Sequence, residues 1–332
     1  MPNETMKQSR KQSQFSKSRS TLTFSLVDYR NNYFTSNDPN KIIEFYNGFD
    51  NREQLIQWMR ERPKGIANIR EVDGDKDIIV VIPTADFNGK YAKECRDNIF
   101  KGLHMIFVES GEVPDPYFNY ANNCNVGVKK AMEYNPKWVV VSNDDMYKVD
   151  DIKKLRSQLY NVPEDANVVY AVSPEHRFAV ECYVGIPTVF YLFINLFRGK
   201  FRLLRRIKKS ILPKIEILSE FYTGSGITRK IVKVFLIRPV KNSQEFLHIS
   251  SFGIFSGTFI RDNKGLLFDE TYVNANEDID LSFRINSRKA NTCKINYLIR
   301  DLVSGSFGKG EDRFLRGVAG GAYFYEKNRN NF

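Results

Sequence analysis

Short apolar runs alternate with segments of helical periodicity through the first half of the chain. Four runs that are almost entirely apolar predict strands buried on both faces, at residues 78–82, 105–108, 138–141 and 168–172. Between them, apolar residues spaced three or four positions apart predict helices at residues 90–100 and 117–133, and one that begins near Asp150. Strands that alternate with helices predict an α/β protein with a mainly parallel sheet and helices on both faces.

The pattern differs before residue 76. Residues 1–20 contain five basic residues, five serines and one acid, and this composition predicts a disordered basic tail. Residues 21–75 predict an N-terminal extension with a strand at 22–27 and a helix at Arg52–Glu61, which Asp50 or Asn51 would cap. The polar residues 71–77 predict a linker to a domain that extends from residue 76 to 328.

The alternating pattern is interrupted in the second half of the chain. From about residue 176 to 247, apolar clusters and basic runs predict a variable insertion of irregular or helical structure. A regular pattern returns at residues 254–260. The segments that follow predict a turn at 262–265, a helix from 278 to about 289 and a strand at 293–299.

The composition bounds the number of domains and argues against several kinds of binding site. The chain has 332 residues, of which 42% are hydrophobic, so it can bury a core in one or two domains. The net charge of +11 is concentrated in the tail and in residues 198–214, and the remainder is close to neutral, so a general nucleic-acid surface is not required. Four isolated cysteines, without CxxC spacing, argue against a zinc site and a disulfide framework, and they are typical of a cytoplasmic protein with reduced thiols.

Two groups of acids are candidates for chemistry. Asp144 and Asp145 directly follow an apolar strand, where open α/β sheets bind ligands, and such a pair needs a cation. Because the chain has only three histidines, carboxylates would hold that metal, and their oxygens suit Mg²⁺ or Mn²⁺. A second acidic group, about 130 residues later, begins a helix at Glu277, Asp278 and Asp280. The structural alternative is a solvated turn for the first group and stabilisation of the helix dipole by the second.

Six ordered segments resemble the inverting glycosyltransferases of family 2. They are VIPT at 81–84, FNYANNCNVG at 118–127, NDD at 143–145, GIFSGTFIR at 253–261, GLLFDE at 265–270 and EDIDLSFR at 277–284. With the insertion excepted, they extend over about residues 78–327, and NDD stands in place of the family's DxD motif. The resemblance implies the glycosyltransferase-A fold, a Rossmann-like, mainly parallel sheet with helices on both faces.

The resemblance implies roles on the donor side of the site. Thr84 and Glu109 would contact the nucleoside of a sugar nucleotide, with Glu109 at the place of a customary Asp. Asn125 belongs to the helix that packs beneath the nucleotide. Asp145 would coordinate the metal that binds the diphosphate, and Asp144 would lie beside the ribose or the sugar of the donor.

The resemblance also implies a general base. Asp278 would accept the proton of the attacking hydroxyl, with Glu277 orienting it, and a single base implies displacement with inversion. Many relatives have a metal-binding His shortly before a Ser-Phe-Gly segment, which this chain has at 306–308, but residues 298–305 contain no His. Asp301 is near the expected position and would either ligate the metal or pair with Arg300 at the surface.

These features predict a metal-dependent transferase that moves a sugar from a UDP-, GDP- or dTDP-linked donor to a hydroxyl of a glycan or a lipid-linked acceptor. A nucleotidyltransferase that forms sugar nucleotides is the alternative enzyme, but it would want a Gly-rich phosphate loop where residues 83–90 hold a single Gly. The third hypothesis is a non-catalytic membrane-surface protein with a degenerate transferase domain. The missing His favours it, whereas the intact acids do not.

Residues 184–214 join the most apolar window of the chain to its second basic run. They predict either a buried helix pair with solvated basic faces or an interfacial segment that binds anionic lipid, which a lipid-linked acceptor would explain. The apolar window of fourteen residues is too short to cross a bilayer, and the N-terminus lacks the apolar stretch of a secretory signal. No nucleic-acid-binding module accompanies the basic run. We therefore expect a cytoplasmic protein, peripheral on the inner face of the membrane if the segment binds lipid.

Overall fold

The computed structural model describes residues 38–49, 51–111, 115, 117–171, 181–182, 215–216, 247–249, 251–302 and 311–328. Its helices are α1 (Pro39–Asn47), α2 (Arg52–Glu61), α3 (Lys90–Glu94, continued by a π-helical turn at Cys95–Ile99), α4 (Tyr120–Met132), α5 (Ile152–Tyr160), α6 (Gly257–Asp262), α7 (Glu277–Ser287) and α8 (Glu311–Asn328). Its strands are β1 (Asn68–Val72), β2 (Asp75–Thr84), β3 (Leu103–Glu109), β4 (Trp138–Ser142), β5 (Met146–Lys148), β6 (Val168–Ala171), β7 (Glu181–Cys182), β8 (Ile215–Glu216), β9 (Phe252–Ser256), β10 (Thr292–Ile295) and β11 (Ile299–Asp301).

A seven-stranded sheet forms the centre, with the strand order β1-β3-β2-β4-β9-β6-β10. Strand β2 pairs in parallel with β3 and β4, and β6 pairs in parallel with β10. Strand β9 runs antiparallel to β4 and β6, and β1 runs antiparallel to β3. Five of the seven strands therefore share one direction, and the prediction of an α/β protein with a mostly parallel sheet is confirmed.

Helices cover both faces of this sheet because successive residues of its central strands point to opposite sides. Ile79 and Val81 of β2 pack in one buried cluster with residues of α4, α6 and α7. Val80 and Ile82 pack in another cluster with residues of α3 and α5. All four side chains have no exposed surface, which explains why the strand reads as a continuous apolar run rather than as an alternation.

Two predicted connections are strands instead. Residues 71–77, predicted as a linker, contain the end of β1 and the start of β2. Strand β1 lies at the edge of the sheet and its side chains are largely exposed, so polar residues can form this strand without being buried. Between Asp145 and the helix predicted to begin near Asp150, the connection forms β5, which pairs with β11 in a separate ribbon.

Three further predictions differ in detail. Asp151, rather than Asp150, caps α5, and Asp150 instead accepts a hydrogen bond from the backbone N–H of Leu298 at 2.7 Å. The single strand expected at residues 293–299 is divided between β10 in the central sheet and β11 in the ribbon. The pattern at residues 254–260 covers the end of β9 and most of α6. Helix α6 begins at Gly257 because the Ser256 side chain accepts a hydrogen bond from the backbone N–H of Phe259.

The described part of the N-terminal extension packs against the C-terminal helix. Side chains of α1 and α2 share one buried cluster with α8, Tyr272 and Phe283. Asn51 caps α2, in agreement with one of the two predicted caps. Arg62, which follows α2 and is 2% exposed, donates hydrogen bonds to the carbonyl oxygens of Tyr117 and Tyr272. These contacts fasten the end of α2 to the segments that precede α4 and α7.

Several predictions fall on residues outside those that the structure describes. They are the basic tail at 1–20, the strand at 22–27, the apolar and basic segment at 184–214 and most of the insertion at 176–247. Within the insertion, β7 and β8 form a short parallel pair. Among the described helices, none has the length and the apolar character needed to cross a membrane.

Candidate active site

Three parallel strands end at one edge of the sheet, and polar side chains link their ends. Thr84 is the last residue of β2, and its hydroxyl donates a hydrogen bond of 2.7 Å to Asp144 Oδ2, just beyond β4. The backbone N–H of Ser110, just beyond β3, donates to the carbonyl oxygen of Thr84 at 2.9 Å. The predicted residues Thr84 and Asp144 are therefore in direct contact, as the carboxyl ends of adjacent parallel strands allow.

Asp144 and Asp145 are both largely removed from solvent. Burial raises the pKa of Asp144, and the charge of Asp145 raises it further, against the lowering effect of the Thr84 hydroxyl. Asp145 itself is only 7% exposed. The thiol of Cys95, in the π-helical turn that continues α3, donates a hydrogen bond to the carbonyl oxygen of Asp144. Two adjacent buried carboxylates repel each other, and a bound cation would offset both the repulsion and the cost of burial.

The ribbon of β5 and β11 brings Asp301 next to Asp145 along the backbone. Asp301 pairs with Met146 in the antiparallel register, and the N–H of Leu302 donates to the carbonyl oxygen of Asp145 at 2.8 Å. The Asp301 side chain accepts a hydrogen bond of 2.6 Å from the hydroxyl of Ser251. Asp301 thus lies at the acidic end of β4 although 156 positions separate it from Asp145 in the sequence.

These carboxylates fit a hard divalent cation by the chemistry of their oxygens. Within the described ranges, no cluster of three or more His, Cys, Asp or Glu side chains is arranged to hold a metal ion. Mg²⁺ does not need such a cage, because it is usually bound by one or two carboxylates together with water and the phosphates of a substrate. Asp145 and Asp301 are the residues that would hold it.

The second acidic group begins α7. Asp278 Oδ1 accepts a hydrogen bond from the backbone N–H of Ile279 at 2.8 Å, and Asp278 Oδ2 lies 3.0 Å from His248 Nε2. Glu277 is 7% exposed, and among the described residues its Oε2 atom has no hydrogen-bond partner. Asn276, immediately before the helix, has a left-handed backbone with a φ of 70°, which sets the direction of this first turn.

The pKa values of the two adjacent carboxyls of α7 are shifted in opposite directions. Burial, and then the charge of Asp278, raises the pKa of Glu277, which favours its protonated form. Burial also acts to raise the pKa of Asp278, but the charge and contact of His248 and the N–H of Ile279 outweigh it, and the pKa is lowered. Neighbouring groups whose pKa values are separated in this way can take different roles, one neutral and one basic.

Two connections link the start of α7 to the acids that follow β4. The first is provided by His248 and Ser251, which are three positions apart in the sequence: His248 contacts Asp278, and Ser251 contacts Asp301. The backbone of Ser251 also accepts a hydrogen bond from the N–H of Asn143, at 2.9 Å. One short segment therefore joins the predicted base to a predicted metal ligand.

The second connection is Tyr120, at the start of α4. Its hydroxyl donates to Asn143 Oδ1 at 2.9 Å. Burial raises the pKa of Tyr120, and the charges of Glu277 and Asp278 contribute in the same direction. Tyr120 thus contacts the segment that carries Asp144 and Asp145, and its pKa responds to the charges of the two carboxyls of α7.

Glu109, the last residue of β3, lies beside Thr84 in the parallel register. Its Oε1 atom accepts a hydrogen bond of 2.9 Å from the backbone N–H of Phe87, in the loop after β2. Its Oε2 atom is 3.4 Å from Arg70 Nε on the edge strand β1. Glu109 therefore fixes the loop that follows Thr84, and its contact with a nucleoside stays a prediction.

Asn125 differs from the other predicted residues because it acts within the protein interior. Its Oδ1 atom accepts hydrogen bonds from the N–H groups of Leu267 and Phe268, at 3.1 and 3.0 Å. Its Nδ2 atom donates to the carbonyl oxygen of Phe268 and to Glu270 Oε1, at 2.9 and 3.0 Å. These bonds attach the GLLFDE segment to α4, so Asn125 supports the site through the backbone that it holds.

Three residues of this region were missed in the sequence: Tyr120, His248 and Ser251. His248 follows the insertion, where no regular pattern predicts which element it would join. The rarity of histidine in this chain was the one available signal. No model of a known protein family matches the chain, and no curated protein matches it.

Proposed function

We propose that the protein is an inverting glycosyltransferase that transfers a sugar from a nucleoside diphosphate sugar to a hydroxyl group, with Mg²⁺ or Mn²⁺ bound. One observation carries the proposal. A largely buried pair of carboxylates, Asp144 and Asp145, and a further carboxylate, Asp278, are connected through His248 and Ser251. His248 contacts Asp278, and Ser251 contacts Asp301 and the backbone N–H of Asn143. The first group has the chemistry to hold a cation with a diphosphate, and the second has the chemistry of a base.

On the donor side, Asp145 and Asp301 would hold the cation, and Asp144, which accepts a hydrogen bond from the hydroxyl of Thr84, would lie beside the ribose or the sugar of the donor. When bound, the cation would supply positive charge that stabilises the departing diphosphate. Glu109 orients the loop after β2, against which the nucleoside rests. The nucleotide of the donor is uridine, guanosine or deoxythymidine diphosphate in this proposal.

On the acceptor side, Asp278 takes the proton of the attacking hydroxyl. The oxygen of that hydroxyl forms a bond to the anomeric carbon while the bond from this carbon to the nucleoside diphosphate breaks. Glu277, whose pKa is raised by burial, orients Asp278 and leaves proton transfer to it. One base acting on the nucleophile gives a single displacement and inverts the configuration of the sugar.

The acceptor is a glycan or a lipid-linked saccharide. A lipid-linked acceptor is part of the proposal because of the sequence of residues 184–214, which lie outside the described structure. The contact of that segment with an anionic membrane stays a prediction.

The proposal is tested with Asp145→Asn and Asp278→Asn, with Asp262→Asn, at an exposed position of α6, as the matched control. Calorimetry with UDP, GDP and dTDP, in Mn²⁺ and in EDTA, should show metal-dependent binding in the wild type, in the control and in Asp278→Asn, and none in Asp145→Asn. Transfer of the sugar should fall by about 10²–10⁴-fold in Asp278→Asn, the usual contribution of a general base. Metal-independent nucleotide binding, or an unchanged rate in Asp278→Asn, would contradict the proposal.

A further inference from the structure

A histidine from a distant segment contacts the carboxylate at the start of α7. His248 Nε2 lies 3.0 Å from Asp278 Oδ2, and the two side chains are 12% and 32% exposed. The other oxygen of Asp278 accepts the N–H of Ile279. Both oxygens of this carboxylate thus have a protein partner, and about a third of its side chain remains open to a substrate.

The backbone next to His248 is anchored on the same helical turn. The N–H of Ile249 donates to Ser282 Oγ at 2.8 Å, and this hydroxyl donates to the carbonyl oxygen of Asp278 at 2.7 Å. Ser282 has no exposed surface. The residue that follows His248 is therefore linked, through Ser282, to the residue that His248 contacts, which distinguishes the pair from an ion pair between mobile surface side chains.

Three further titratable groups interact with these carboxyls. Glu277 precedes Asp278 on α7, and burial together with the charges of both raises the pKa of Tyr120 on α4. The charge of Arg62 acts to lower the pKa of Glu277. Burial acts to raise the pKa of Asp278 itself, but the charge and contact of His248, followed by the backbone N–H of Ile279, lower it.

We propose that His248 is a positioning residue, which holds the Asp278 carboxylate in the orientation and charge state needed to accept the proton of the acceptor hydroxyl. The inference rests on the proposed function, since it assigns His248 a part in the same reaction. It acts through Asp278 and does not itself contact substrate. A base that is protonated before the substrate arrives cannot accept a proton, so this support is needed most towards low pH.

The first test requires no catalysis and follows the histidine rings by NMR. The chain contains three histidines, so substituting each one by Gln assigns every ring signal. Because the interaction between two charges is reciprocal, removing the charge of Asp278 should move the titration of His248 to lower pH in Asp278→Asn. The titration of His104, at the start of β3 and paired with Glu71, should stay where it is. An unchanged titration of His248 would overturn the inference whether or not the protein is a transferase.

The second test measures the pH dependence of turnover with saturating donor. In His248→Gln the acidic limb of the profile should move to higher pH, because Asp278 loses the charge that lowers its pKa, while the KM for the donor is unchanged. Turnover should fall by up to about 10²-fold, the cost of a displaced catalytic group. Ser282→Ala should move the limb in the same direction, and His104→Gln should not move it. If the NMR titrations show the pair but the limb stays in place in His248→Gln, the positioning role is refuted while the proposed reaction stands.

Discussion

Asn125→Ala removes a set of four hydrogen bonds between α4 and the segment of residues 267–270. Each bond contributes about 0.5–1.5 kcal/mol net, so their sum is about 2–6 kcal/mol. The N–H groups of Leu267 and Phe268 are buried with Asn125 and would be left without that acceptor, which favours the upper part of the range. Since a folded domain is stable by only about 5–15 kcal/mol, this one side chain should account for a large fraction of the total.

The assay is equilibrium unfolding in urea, followed by circular dichroism and by tryptophan fluorescence. With a denaturant slope of about 3 kcal/mol per molar, a loss of about 3 kcal/mol lowers the midpoint by about 1 M. Asn122→Ala is the matched control, because Asn122 lies on the same helix and its side chain makes one long hydrogen bond of 3.4 Å, to Asn123. The control should leave the midpoint nearly unchanged.

Asn125→Asp separates hydrogen bonding from shape. The substitution keeps the two accepting contacts but loses both donors, and it places a carboxylate beside Phe268 O and Glu270 Oε1. We expect destabilisation at neutral pH that is partly relieved on acidification, when a protonated carboxyl can donate again. If Asn125→Ala unfolds at the same urea concentration as Asn122→Ala, the reasoning is refuted, and the four bonds have no more weight than exposed ones.

Two other predictions concern the packing and the pH dependence of the fold. Gly127→Ala should lower the free energy of unfolding by about 1–3 kcal/mol, because a Cβ atom on α4 would overlap Val81 of β2 and crowd Val108 of β3. The control is Lys129→Ala, at an exposed position of the same helix. Equal urea midpoints for the two variants would contradict the close approach of α4 to the sheet. Burial acts to raise the pKa of Asp269, but the hydrogen bond and charge of Lys327 outweigh it and lower the pKa to about 2. The stability that this depressed pKa contributes is present above about pH 4 and is lost as the pH falls towards 2. In Asp269→Asn the melting temperature should therefore decline less steeply over that window than in the wild type. Equally steep declines in the two proteins would refute the assignment.

Much of the central sheet was predictable from the sequence. The runs at residues 78–82, 105–108 and 138–141 lie within β2, β3 and β4, and the run that begins at residue 168 contains β6. A strand covered on both faces must be apolar throughout, and a helix on a sheet must be apolar on one side, so both leave a local signature. The edge strand β1 was missed because an exposed edge leaves no such signature.

The candidate site was predictable only in part. The position of Asp144 at the end of β4, and the presence of an acidic helix start at Glu277, follow from short-range patterns. The contact between Thr84 and Asp144 requires that β2 and β4 be neighbours in the sheet, a property of strand order. Asn125 entered as a residue beneath a nucleotide, and only the structure identifies the backbone segment that it holds.

The sequence by itself determined the buried strands of the central sheet, most of the helices that cover it and the acids at their ends, because burial and helical periodicity act over a few residues. The tertiary structure decided what those ends contact. The ribbon of β5 and β11 brings Asp301 to Asp145, and the segment of residues 247–249 brings His248 to Asp278, across separations of 156 and 30 positions. Such contacts depend on the order in which strands pair and on which apolar faces pack together. The free energy that favours one strand order over another comes from packing throughout the core, so no short segment near either residue encodes it.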